Sequence, residues 1–279
     1  MNKLSIERQV GIIKVLCEGN SLRATARITD TAVNTVVTLL KKTGEACWDY
    51  QNRIMRNLNC QKLQCDEIWS FVYAKAKNVP ENHDGEFGYG DVWTFTAIDA
   101  DTKLVPSWLV GLRNVECAHA FIADLKDRLA NRVQLSTDGH KMYLDAVEQS
   151  FGAEVDYGML VKIYGQESEG EKKYSPAKCI ASEKRIIKGN PDTTTISTSY
   201  VERQNLTMRM SMRRFTRLTN AFSKKLENHE YALALYFMHY NFVRPHKSLA
   251  NPYPRTPAMA AGITGHIWSF EDLLNLISN

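Results

Sequence analysis

The apolar period of the chain switches at Lys62. Upstream, apolar residues recur at helical spacing; downstream come short β-branched and aromatic runs broken by turns. KLQCDEIWSFVY (62–73) reads as a strand and 78–90 as a loop. Residues 91–99 and 103–110 read as two more strands, with Asp99, Ala100 and Asp101 at the turn of a hairpin. A helix over 115–131, the strand VQLST, a helix over 141–150 and a strand over 154–163 follow.

The order β-β-β-α-β-α-β, antiparallel at its start and parallel at its end, predicts an α/β protein. Its mixed sheet is ribonuclease-H-like (retroviral-integrase-like), with the first and fourth strands as neighbours. The polar stretch 165–198 reads as a long loop or hairpin insertion, and helices are expected over 199–217 and 226–243, the second ended by Pro245. In the tail, 246–279, WSFEDLLNLI is expected to pack back as a short helix. Ahead of the core, 4–18 form a helix ended by Gly19 and Asn20, and Ser21 caps a second, LRATARI. A third starts at Thr31, with Val33, Val36, Val37 and Leu40 inward, and stops at Gly44. This predicts an all-α helix-turn-helix domain (1–44), a partly helical linker (45–61), a core (62–245) and a tail. The outward residues Thr31, Asn34, Thr35, Thr38 and Lys41, together with Arg27, suit a DNA major groove. A small bundle for protein contact is the other reading.

Charge is partitioned rather than large. Residues 1–56 carry +4 and 203–225 carry +7 without an acid; the total is only +4, so the rest carries −7. Basic segments flanking an acidic middle fit a polyphosphate partner, although basic helix faces are also simply solvated. With 44% hydrophobic and 24% charged residues the chain is expected to fold rather than stay disordered. No run approaches the length of a membrane span. The N-terminus has no apolar signal core, and the six cysteines show no CxxC spacing. The expected setting is therefore the cytoplasm, with reduced thiols.

Three carboxylates stand out. Asp66 lies mid-strand among Cys65, Ile68, Trp69 and Phe71, where a charge is costly unless it coordinates something. Asp138 ends the fourth strand before Gly139, and Glu202 starts the basic helix. Each has a plainer explanation: an exposed strand position, a turn Asp before Gly, an acid at a helix N-terminus. Together they fit a site for two Mg²⁺ ions, which take oxygen ligands and sit about 3.5–4 Å apart in phosphodiester chemistry; Mn²⁺ is the expected substitute. Glu67 must face away from Asp66, and Asp99, Asp145 and Glu148 are the next competitors. His140 and Lys141 can reach a phosphate, as can Gln204 and Asn205. Arg203, Arg209, Arg213, Arg214 and Arg217 follow Glu202, with Arg209, Arg213 and Arg217 at i, i+4, i+8 on one helix face.

The blocks CDEIWSFVYAK, LSTDGHKMY and SYVERQNLTMRMSMRRFTRLTNAFSKK resemble those of bacterial insertion-sequence DDE transposases, most closely the insertion-sequence-one family. The resemblance covers about 62–245. It implies that Asp66, Asp138 and Glu202 are the catalytic, metal-binding triad. It also implies cleavage at element ends and strand transfer into double-stranded target DNA by a homodimer or larger assembly on the bacterial nucleoid. NFVRPHKSL resembles the end of integrase-type cores, where Arg244 and His246 would contact DNA; a helix terminator is the plainer reading. The cysteine-pair zinc module common at the family's N-terminus is absent. A plain nuclease or resolvase of this fold, and a non-catalytic DNA-binding regulator, are the alternatives.

Overall fold

The computed structural model describes residues 4–165, 179–216 and 220–277. Three helices lead: α1 (Ile6–Cys17), α2 (Leu22–Ile28) and α3 (Val33–Ile54). The Ser21 hydroxyl accepts the Ala24 N–H at 3.1 Å, so α2 begins where its cap predicts. α3 departs from expectation: it runs through Gly44 for 22 residues and takes in most of the anticipated linker. Gly44 is there for packing. A Cβ on it would lie 2.4 Å from Tyr231 Cβ and 2.6 Å from the Tyr231 carbonyl oxygen, on a later helix. Below α3's buried Cys47, Gln51 donates its amide to the Ala234 carbonyl of that same helix, 3.1 Å away.

The core is a six-stranded mixed sheet: β1 (Lys62–Val72), β2 (Gly90–Asp99), β3 (Trp108–Gly111), β4 (Val133–Asp138), β5 (Val155–Tyr164) and β6 (Cys179–Lys188). Their order is β3-β2-β1-β4-β5-β6. β1 pairs antiparallel with β2 and parallel with β4, and β4 parallel with β5. This mixed α/β arrangement is compatible with a ribonuclease-H-like core. β3 is shorter than the expected 103–110. Pro106 has no N–H to give, and both backbone groups of Val105 are taken by the Asn241 side chain at 3.0 Å. The described end of the 165–198 insertion is β6, a sixth strand; residues 166–178 lie outside the described structure.

Helices α4 (Val115–Asp127) and α5 (Met142–Phe151) cover one face, where Phe95 meets Phe121 and Tyr143. Over the other lie α6 (Ser199–Ser211) and α7 (Leu226–Met238), α7 being buried along nearly all of 232–238. Trp108 of β3 stacks on Phe237 of α7 and meets Trp48 of α3 edge-on, so the N-terminal helices share the main core. α7 ends in a π turn before Pro245, as anticipated. Short α8 (Pro257–Ala260) and α9 (Phe270–Asn275) close the chain, α9 with a Ser269–Asp272 capping box. All six cysteines are free thiols. Among the described residues no helix is long and apolar enough to cross a membrane.

Candidate active site

The strand register builds the site. Gln64 lies opposite Ser136 across the parallel β1–β4 pair, so two residues on Asp66 stands beside Asp138 at the end of β4, on the same face. Carboxylate oxygens of Asp66, Glu67 and Asp138 lie within 4.8 Å of one another. Glu67, however, points to the other face and both of its oxygens are committed. Arg113, which also sits 4.7 Å over the Trp93 ring, donates to Oε1 at 2.6–2.7 Å, and the Tyr143 hydroxyl donates to Oε2 at 2.8 Å. Asp66 rather than Glu67 is the open carboxylate, in line with strand alternation.

α6 carries Glu202, which is not among the acids within 4.8 Å of one another. Its first N–H groups have no partner within the helix. Those of Tyr200 and Val201 donate instead to the buried Gln64 Oε1, at 2.8 and 3.2 Å, which pins the helix start to β1. Glu202 then sits in the first turn and Asn205 follows at i+3 on the same face. Asn205 Nδ2 donates to Asp66 Oδ2 at 2.8 Å. Glu202 Oε1 accepts from Lys162 of β5 and from the Thr198 hydroxyl. Asp138 Oδ1 accepts the His140 N–H at 3.0 Å.

Burial first, and then the charges of Glu67, Asp138 and Glu202, push the Asp66 carboxyl up to about 7. Burial works against the charge on Lys162, but the Glu202 carboxylate outweighs it and holds the ammonium above its usual range. These hard oxygen donors suit Mg²⁺. Asn205 adds to the fit, because its Oδ1 is buried without a hydrogen-bond partner among the described residues.

Asp66 titrates at about 7 in the fold but near 3.9 in the unfolded chain. The protonated group's stabilisation is therefore complete below about pH 4 and lost as pH rises through about 7. In EDTA, Asp66→Asn should gain stability over wild type between about pH 5 and about pH 8, read as a widening gap in urea midpoint. A gap that stays constant would contradict this.

The other anticipated residues divide. Arg27, Asn34 and Thr38 are exposed on α2 and α3, whereas Lys41 is ion-paired with Glu227 of α7. Lys141 is exposed beside the site; the His140 ring accepts the Met142 N–H at 3.3 Å. Arg203 is exposed and Arg209 half-exposed on α6. The expected Arg209–Arg213–Arg217 stripe does not form. α6 ends at Ser211, Met212 is extended and buried, and Arg213–Phe215 makes a separate 3₁₀ turn that buries Phe215. Arg213 is exposed, and Arg217 lies outside the described residues. Arg214 turns inward, donating to Ser223 Oγ at 2.8 Å, and burial pulls its guanidinium down to about 10. Gln204 and Asn205 also face inward, on Tyr236 and Asp66, rather than toward a phosphate. Arg244 is exposed; the His246 ring accepts from the N–H and hydroxyl of Ser248. The competing acids lie elsewhere: Asp99 caps a turn through Thr102, Asp145 pairs with His119 and Glu148 with Lys188.

Gln64, Lys162 and Thr198 were not anticipated. Lys162 shares β5 with a second charge, Asp156, and nothing in the sequence ties it to the acids.

No known protein family and no curated protein matches the chain. Among solved structures it is similar to the crystal structure of a pre-cleavage Mos1 transpososome, at 11% identity and a TM-score of 0.24 over 56% of this chain. The match spans 60% of that protein's chain.

Proposed function

We propose that the chain is a DNA transposase that cuts at the ends of an insertion sequence and joins them to target DNA. One observation carries this reading: β1 and β4, parallel and in register, set Asp66 beside Asp138, and Asn205, one turn after Glu202 on α6, bonds Asp66. Asp66, Asp138 and Glu202 are the residues that would hold two Mg²⁺ ions, or Mn²⁺ in their place. Bound there, such ions lower the pKa of the attacking hydroxyl and stabilise the leaving oxygen.

The chain's own groups prepare that site. The Asn205 amide fixes the orientation of Asp66, and Thr198 orients Glu202. Lys162 balances the Glu202 charge in the absence of a cation. Exposed Arg203 and half-exposed Arg209 on α6, with exposed Lys141 three residues after Asp138, would contact the backbone of the scissile strand. The exposed Arg27, Asn34 and Thr38 make the N-terminal helices the reader of terminal repeats in double-stranded DNA, as a helix-turn-helix.

Hydrolysis breaks the P–O3′ bond at the element end and leaves a 3′-hydroxyl. That oxygen then attacks a target phosphorus, forming a new phosphodiester and releasing the target's own 3′-oxygen. Bringing two ends to one target calls for at least a dimer, on nucleoid DNA in a bacterial cytoplasm.

With Mg²⁺ and a pre-cut end bearing a 3′-hydroxyl, joined products should appear in a target plasmid. The same end with a 3′-deoxy terminus should give none. Metal-dependent nicking without joining, across varied ends and targets, would replace this reading by that of a plain nuclease.

A further inference from the structure

β6 is the last strand of the sheet, and its outer edge is unpaired among the described residues. Every residue from 179 to 187 is exposed, including Ile180 at 64%, Ile186 at 55% and Ile187 at 40%. Neighbouring Ile163 and Tyr164 of β5 are exposed as well. Edges are ordinarily blunted by proline, by charges, lysine above all, by bulges or by being kept very short; β6 carries Glu183, Lys184, Arg185 and Lys188. β6 contains no proline, and its pairing with β5 is irregular only near its two ends. Between the irregularities, 181–186 pairs residue for residue with 158–163 and forms a straight, open ladder.

The charges on this run are ordered. Glu183 and Arg185 share one face and pair with each other at 2.6 Å. Lys184 points to the other face, where its ammonium is drawn aside to the carbonyls of Thr193 and Thr194, at 2.7 and 3.0 Å.

We infer that β6 is a docking edge for a second copy of this chain, joined strand to strand about an axis at Lys184. Antiparallel strands of two copies are related by a twofold axis perpendicular to the sheet, so opposed residues must come from the same face. An axis at Glu183 opposes that carboxylate to itself, and one at Arg185 does the same to the guanidinium. An axis at Lys184 sets each Glu183 against Arg185 of the second copy, twice, and each Ser182 against Ile186. Opposite charges across a ladder stabilise it and like charges oppose it. This axis also opposes Lys184 to itself, but each ammonium is held by the Thr193 and Thr194 carbonyls of its own chain. The contact is short, so the association is weak and micromolar. It rests on the edge alone and not on the reading of the acidic site.

The full chain, free of DNA, is tested by sedimentation at tens of micromolar. Wild type should be dimeric. Arg185→Glu should weaken association by about tenfold or more, since both cross-strand pairs become repulsive. The exchange Glu183→Arg with Arg185→Glu should restore it. Lys184→Cys in a Cys179→Ser background should form a disulfide dimer under mild oxidation, and Arg185→Cys in that background should not. All these residues are exposed, so the fold is retained. A monomeric wild type, a dimer indifferent to Arg185→Glu, or a charge exchange that fails to restore association would overturn the inference. Two results would assign the edge to another occupant. Lost DNA affinity with unchanged association points to nucleic acid, and an edge protected from hydrogen exchange in a monomer points to residues 166–178.

Discussion

Asp66→Asn, Asp138→Asn and Glu202→Gln are each expected to reduce Mg²⁺-dependent DNA cleavage by about a thousandfold or more, while the fold and DNA affinity persist. Each change removes one ionisable oxygen; two of these lie on the adjacent strands β1 and β4 and the third in the first turn of α6, whose Asn205 bonds Asp66. The charge stabilisation at stake amounts to several kcal/mol, and ~1.4 kcal/mol is a factor of ten in rate. The variants differ in one respect. Glu202→Gln also loses the carboxylate that pairs with Lys162, whereas Asp138→Asn leaves that pair intact. Single-turnover nicking of a labelled end, with binding measured in Ca²⁺, separates chemistry from affinity. Cleavage at the wild-type rate by any one of the three would remove that residue from the site.

Gly44→Val should destabilise the protein by about 3 kcal/mol or more, the upper part of the range for forced overpacking. The added atoms would meet Tyr231 Cβ, Cα and carbonyl oxygen at 2.4–2.7 Å. Two of these are backbone atoms, so no rotamer change relieves the clash and α3 must move off α7. Because Trp48 and Gln51 on α3 pack on Trp108 and bond to Ala234, the damage extends into the sheet core. Urea unfolding followed by tryptophan fluorescence would report it. Gly44→Ala should already show a clear loss, although alanine is the better helix former. A neutral or stabilising alanine would mean that the two helices are not held at this spacing.

Gly44 also shows where sequence reading fails. A glycine after a run of helical period reads as a stop because that is its local preference; its real constraint is the approach of a helix some 190 residues later. The same limit explains α6. Nothing local in MRMSMRRF ends a helix, yet α6 stops at Ser211 and Met212 is extended, so Arg213 does not continue the face that carries Arg209. β6 was hidden because a strand exposed along its length has no apolar alternation to read. What could be read is what strong periodicity and strand order specify: β1, β2, β4, β5, α4, α5, and the adjacency of β1 and β4 that joins Asp66 to Asp138. Side chains that serve the acids from elsewhere, such as Lys162 and Gln64, become visible only when the strands are laid side by side.

The uninterrupted α3 has one more consequence. At 1.5 Å per residue its 22 residues span about 33 Å, close to one turn of B-form DNA. Lys41, Gly44 and Gln51 along it all meet α7, so α1 and α2 are held at a fixed distance from the sheet. On the proposed reading, the bond that is cut would lie at a set number of steps from whatever bases the first helices grip. Moving the terminal repeat by half a helical turn would carry the cut to the wrong side of the duplex, out of reach of the acids. On that reading, the interval between the recognised sequence and the element's tip should tolerate base changes far better than inserted or deleted bases.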